Sequence, residues 1–350
     1  MHAIPVPTRI TAVLIGLALV VGLESPTALG ASVEATTCRS PVDLGLLGDF
    51  PNSSARAIND AGVVVGIAHG TDFQGRPILW RGDQAMLLSA SQGMANDVNE
   101  DGTVVGSVRD AAGFLHAFGW ADGQLDLLPD LENGSVASAV NARGDVVGSV
   151  RSPSDNDLPA GWRDGQLMLL PMPSGRAFGA AVDINDDGDI VGIVGQTYGG
   201  GEIYTPWRWS KDGSSGALLM RGRTDGRVST IDNRGRITGR LAMFPDEPTT
   251  PALWRSGESS PRLMWRFQDG YAQFTGASGA RDLVGIVNNK AFITDLPGFD
   301  RLTFLEGLEG SEGEAASTVW ADDVNRARVV VGYSQFESGE IHATMWDCGD

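Results

Sequence analysis

A ten-residue element recurs seven times along the chain and limits the possible folds more than any other feature. It reads "AINDAGVVVG" at 57–66, "DVNEDGTVVG" at 97–106, "AVNARGDVVG" at 139–148 and "DINDDGDIVG" at 183–192. It returns as "TIDNRGRITG" at 230–239, "GASGARDLVG" at 276–285 and "DVNRARVVVG" at 323–332. The closing glycines are Gly66, Gly106, Gly148, Gly192, Gly239, Gly285 and Gly332, spaced 40 to 47 residues apart. Self-similarity at such a period marks an array in which no copy can bury its own faces, so each must stack on its neighbours.

Every copy continues in the same way. A variable loop leads to a short run that ends in Trp80, Trp120, Trp162, Trp209, Trp254 or Trp346, while copy six ends in Thr294. A polar turn and an aliphatic run follow, such as "LDLL" at 125–128 or "LMLL" at 167–170. These pieces are too short for helices and rich in β-branched and aromatic residues. Four short strands per copy and seven copies predict an all-β fold. It is a seven-bladed β-propeller of four-stranded antiparallel blades, filling residues 42–350.

The ends of the chain bear on closure. Copy seven stops after its Trp strand, and a spare "VDLGLL" at 42–47 precedes copy one. Pairing this segment antiparallel to "HATMW" (342–346) completes the last blade. Cys38 and Cys348, the two cysteines of the chain, then become neighbours and are expected to form a disulfide.

The "AINDAG-VVG" element, the "HAF-W" element at residues 116–120 and the "DLG" at 43–45 together resemble the HAF-repeat family of extracellular bacterial repeat proteins. The resemblance covers essentially the whole chain after the leader. It implies location and fold, and supplies no activity or catalytic residue. Copy six departs most, with Ser278 in the Asn position and no Trp.

Arg9 precedes the 14-residue apolar run "ITAVLIGLALVVGL" at 10–23. That length suits a signal-peptide core and falls short of the roughly 20 residues of a membrane span. Residues 1–30 therefore read as a signal peptide, 31–41 as a short leading segment, and the product as secreted, monomeric and without a membrane span. The formal net charge of −18 repels phosphate backbones and excludes nucleic acid as a natural partner.

The stretch "DINDDG" resembles the start of a calcium loop. Asn59, Asn99, Asn141, Asn185 and Asn325 share one repeat position, and Gly62, Gly102, Gly144, Gly188 and Gly235 stand three residues later. Asn-x-x-Gly is the chemistry of a tight hairpin turn. Arg281 and Arg328 replace the glycine in the last two copies, so those turns are expected to differ. Two copies carry calcium-type ligand trios, Asp183, Asn185, Asp187 and Asp97, Asn99, Asp101. An EF-hand needs a bidentate Glu at position twelve, where Val194 stands. The turn reading is preferred, with calcium as a minor alternative and no other cofactor.

Nothing in the chain matches a nucleophile elbow, a zinc-protease helix or a phosphate loop. His116 and His342 share one repeat slot, and His69 lacks recognisable triad partners. Carboxylates are plentiful, and none is singled out as half of a glycosidase pair. Departures from the repeat point further, because loops carry function. The longest connection, "QTYGGGEIYTPWRW" at 196–209, adds Tyr198, Tyr204 and Trp207, a candidate stacking platform. The expected role is an exported binding scaffold for an extracellular glycan, peptide or protein. The alternatives are an extracellular carbohydrate-active hydrolase or lyase, or a purely structural envelope protein.

Overall fold

Alternation along the short strands decides the architecture. In the first strand of copy one, Asn52–Ile58, buried residues alternate with part-buried or exposed ones until the strand's end, and the second strand, Val63–His69, is buried almost throughout. A segment covered on both faces needs a sheet on each side, and only a ring of blades supplies that to every copy. A computed structural model describes residues 38–349 except 72–73, 199–200, 212–213, 219, 246, 259, 265–270, 296–301 and 310–317. The apolar leader lies outside these residues.

The described residues form seven four-stranded antiparallel sheets, each in the order first, second, third, fourth strand. The protein is a seven-bladed β-propeller. Each first strand lies against the first strands of both neighbouring blades, so these seven strands form the hub. The hydrophobic core is divided among the seven gaps between blades. In one gap, Ala55, Ile58, Ile78 and Trp80 of blade one meet Val331 and Ala343 of blade seven.

The repeat's tryptophans join blades twice over. The ring of Trp162 is buried, and its Nε1–H donates to the Pro129 carbonyl at 2.7 Å in the connection from the preceding blade. Trp209 does the same to Pro171 at 2.8 Å, and Trp346 to Glu306 at 2.7 Å. A buried indole is thereby satisfied and the incoming loop is fixed.

The glycine that ends the repeat element has a steric cause. All seven first strands carry a bulge at the same place, for example between Ala137 and Ala139. The bulge drives a carbonyl against the second strand, and a Cβ on Gly148 would lie 1.9 Å from the Val136 oxygen. No other residue fits there.

Closure follows the expected pairing, with a shorter strand. Val42 pairs Met345 and Asp43 pairs Thr344, beside the third strand of blade seven, Ile341–Asp347. The strand ends at Asp43 instead of running to Leu47. Gly45 turns left-handed at φ +84°, and its N–H donates to the Asp43 carboxylate at 2.7 Å. The Cys38–Cys348 disulfide joins the ends over a sequence separation of 310.

Candidate functional site

The Asn-x-x-Gly loops do more than turn. Within its own loop, the Oδ1 of Asn99 accepts the Thr103 N–H at 2.9 Å, as expected of a hairpin cap. Its Nδ2 crosses to the next blade and donates to the Asn141 carbonyl at 3.1 Å. Asn59 bonds Asn99 in the same way at 2.9 Å, Asn141 bonds Asn185 at 3.2 Å, and Asn185 bonds Asp232 at 3.2 Å. The amide serves both bonds because its oxygen accepts within the loop while its separate nitrogen donates to the next blade. Asp232 cannot donate, and Arg234 and Arg236 reach the Ala280 carbonyl of blade six in its place, at 2.6 and 3.2 Å.

The turn of copy seven does not differ as expected. Arg328 adopts φ +64°, and its N–H bonds the Asn325 carbonyl at 3.1 Å, as Gly62 bonds Asn59.

The two calcium-type trios are divided among other partners. Asp97 accepts the N–H of Val98 and, from the next blade, that of Val140, both at 2.8 Å. Asp183 accepts from Ile184 at 2.8 Å, and from Thr230 and Ile231 of the next blade at 2.5 and 2.7 Å. Asn99 and Asn185 are engaged in the amide bonds between blades. Asp101 and Asp187 are exposed, and Asp187 pairs with Lys211 at 3.2 Å. Asp323 repeats the pattern, holding the Val324 and Ile58 N–H groups at 2.8 and 3.0 Å.

These carboxylates sit near the ends of the hub strands and are enclosed by protein. Burial and mutual repulsion push Asp97 up to about 8 and Asp323 up to about 6, and burial raises Asp183. Burial also pushes Asp322 up to about 7. A hollow of about 180 Å³ opens at this end of the axis, beside Asp60, Glu100, Asp186 and Arg326. Its polar groups are engaged in joining blades: Asp60 accepts the Arg326 N–H at 2.8 Å, and Asp186 that of Ala142 at 2.9 Å.

The histidines of the shared slot both meet aspartates. His116 lies between Asp130 at 2.7 Å and Asp110 at 3.1 Å, and His342 meets Asp43 at 2.7 Å.

The long connection of copy four is a strand pair, not a loop. Ile190–Tyr198 and Gly201–Trp209 run nine residues each, because Thr197, Tyr198, Ile203, Tyr204 and Thr205 are strand formers. The pairing separates the aromatic trio. Trp207 faces the gap to blade three and packs against the cluster of Ala139, Val147 and Trp209. Tyr204, three residues earlier, faces blade five. Tyr198 ends its strand opposite Gly201, and its side chain lies outside the described residues.

Tyr204 is one wall of a cleft of about 400 Å³ shared by blades four, five and six. Arg227 lies over its ring, 3.8 Å from the centroid, and Phe178 meets its edge at 5.7 Å. Its backbone N–H bonds Asp225 at 2.9 Å, and its hydroxyl bonds Glu202. Burial, then the Glu202 bond, holds the phenol above the usual tyrosine value. On the far side, Arg240 lies 5.0 Å from the Tyr271 ring centroid. Gln273 Oε1 accepts from Arg240 at 2.9 Å and from the Tyr271 hydroxyl at 3.0 Å. Glu247 and Pro245 complete the rim.

Sequence reasoning found Tyr204 and missed the two arginines and Tyr271. A signal for Arg240 was present. The residue after the closing glycine is Ile67, Ser107, Ser149, Ile193, Ile286 or Tyr333 in the other copies.

No family model matches the chain, and no curated protein matches it. Solved structures share its fold at low identity. The β-propeller domain of the trilobed protease from Pyrococcus furiosus aligns with a TM-score of 0.58 at 9% identity, covering 85% of this chain and 96% of that one. A puromycin-hydrolyzing peptidase from Mycobacterium tuberculosis gives 0.53 at 12% identity, over 88% of this chain and 55% of that one. TolB from Acinetobacter baumannii gives 0.47 at 11% identity, over 86% of this chain and 65% of that one. The chain thus spans less than two thirds of the last two, and the likeness to the first two concerns the propeller fold alone.

Proposed function

We propose that this chain is an exported propeller that acts as a binding scaffold, with its ligand seated in the cleft over blades four to six. Export is supported by the apolar leader, by the resemblance of the repeat to the HAF-repeat family, and by the Cys38–Cys348 disulfide, a bond that persists in oxidising compartments. The observation that carries the reading is the composition of the cleft. Arg227, Arg240, Tyr204 and Tyr271 converge there, with each guanidinium against a tyrosine ring. A concave site with a few convergent polar groups on a rigid frame is the usual form of a ligand pocket.

The test is a glycan array and a peptide array probed with protein spanning residues 31–350 and with its Tyr271→Ala variant. Binding that the variant loses while its melting temperature holds supports the reading. Binding that it retains in full places the ligand elsewhere.

A further inference from the structure

We propose that the cleft holds the carboxylate of an acidic sugar, clamped between Arg227 and Arg240 with the sugar ring against Tyr271. This deepens the reading of the cleft as the ligand site and rests on it.

The first argument is register. Arg227 and Arg240 stand directly opposite each other in antiparallel pairing within blade five. Like charges directly opposite are destabilising. The equivalent pairs are uncharged in all six other blades, as in Ser54 opposite Ile67 and Gln273 opposite Ile286. Blade five alone keeps an unfavourable pair that the fold does not need.

The second argument is the lack of a direct ion pair. The chain carries 44 acidic residues against 26 basic ones, so partners are abundant. Arg143, Arg163, Arg208 and Arg236 all pair with aspartates. Among the described residues, Arg227 and Arg240 form no ion pair. Their flat faces lie against tyrosines, and although Arg240 spends one donor on Gln273, a guanidinium has further N–H groups for a planar acceptor. Burial, then the charge of Arg227, holds Arg240 below the usual arginine value, with Asp225 acting the other way, and a carboxylate between the two guanidiniums offsets their repulsion.

The remaining lining narrows the ligand. Glu202, Asp225 and Glu247 also line the cleft, three carboxylates against the two arginines, so an anion is held only by direct contact with the guanidinium edges and a phosphate dianion is disfavoured more than a single carboxylate. Tyr271 keeps 39% of its surface exposed, which offers a face to the C–H side of a sugar ring. The polar rim matches a ligand rich in hydroxyls.

Calorimetric titration of the oxidised protein with three probes tests this: a galacturonate tetramer, a neutral galactose tetramer and a Glu-rich tetrapeptide capped at both ends. The acidic sugar is expected to bind, and to lose roughly 10- to 100-fold in affinity with Arg240→Gln or Arg227→Gln. Ligand-free Arg240→Gln should melt no lower than the parent, because a like-charge pair is gone. A lower melting temperature with unchanged affinity makes Arg240 structural and overturns the proposal. Equal binding of the neutral sugar, insensitive to Arg240→Gln but lost in Tyr271→Ala, overturns the carboxylate and leaves the cleft as the site. Preference for the peptide overturns the sugar. Affinity for the acidic sugar that survives both Arg240→Gln and Tyr271→Ala overturns the cleft as well, and failure of all three probes to bind overturns the proposal.

Discussion

The side-chain amide of Asn325, in the last blade, donates to the backbone carbonyl of Asn59, in the first, at 3.2 Å. The bond matches the one from Asn59 to Asn99, so the join between the chain ends is built like the gaps within the ring. Backbone pairing of residues 42–43 and the disulfide reinforce that gap. A propeller opens first where its ends meet, and three independent devices lie there.

Loss of the disulfide should therefore be felt at blade seven before anywhere else. The chain-entropy estimate for so long a loop is about 5–6 kcal/mol, and measured bridges contribute about 2–4 kcal/mol. Cys38→Ser with Cys348→Ser should lower the melting temperature and speed proteolysis near both ends. Equal melting of the two proteins would show that the strand and the Asn bond suffice.

Two glycines four residues apart should respond very differently to alanine. Gly144 has open space and φ +78°, so Gly144→Ala should cost about 1–2 kcal/mol. Gly148 has a carbonyl where a Cβ would go, so Gly148→Ala should cost well over 3 kcal/mol or prevent soluble expression. Urea denaturation of both variants checks the order, and equal costs would argue against the bulge.

The hub carboxylates set a pH dependence. Asp323 and Asp97 titrate at about 6 and about 8 when folded, against about 3.9 in an unfolded chain. A raised folded value means that the native state keeps protons the unfolded chain has lost. Their contribution is fully present below about pH 4 and is lost as pH climbs through 6 and 8. Thermal melts from pH 4 to pH 9 should decline, less steeply in Asp97→Asn. A stability that rises across this range contradicts the assignment.

Tyr204 and Trp207 should separate function from folding. Trp207→Ala opens the gap between blades three and four and should cost about 3 kcal/mol or more. Tyr204→Ala should be milder in stability and should free Arg227, weakening ligand binding. Paired melting and binding measurements on the two variants decide it.

The ring was legible in the sequence because each strand is short, patterned and repeated. Closure was legible because one strand was missing at one end and spare at the other. The second role of the Asn residues was not. The Nδ2 of Asn99 meets a backbone carbonyl in the next repeat, and any residue can offer a carbonyl. The cleft was hidden for a related reason. Arg227 and Arg240 are 13 positions apart, and their opposition exists only once the bulge sets the register. Trp207 was misplaced with Tyr204 because a segment read as a loop has no faces, whereas a strand sends those two side chains to opposite sides.

Hydrogen–deuterium exchange, with and without the galacturonate tetramer at saturation, tests the central claim most directly. The expected result is protection confined to residues 201–204, 225–227, 240–249 and 271–273, with the other blades unchanged. Protection around Asp60, Glu100 and Asp186 at the end of the axis, with none over blades four to six, would contradict the cleft as the binding site of this propeller.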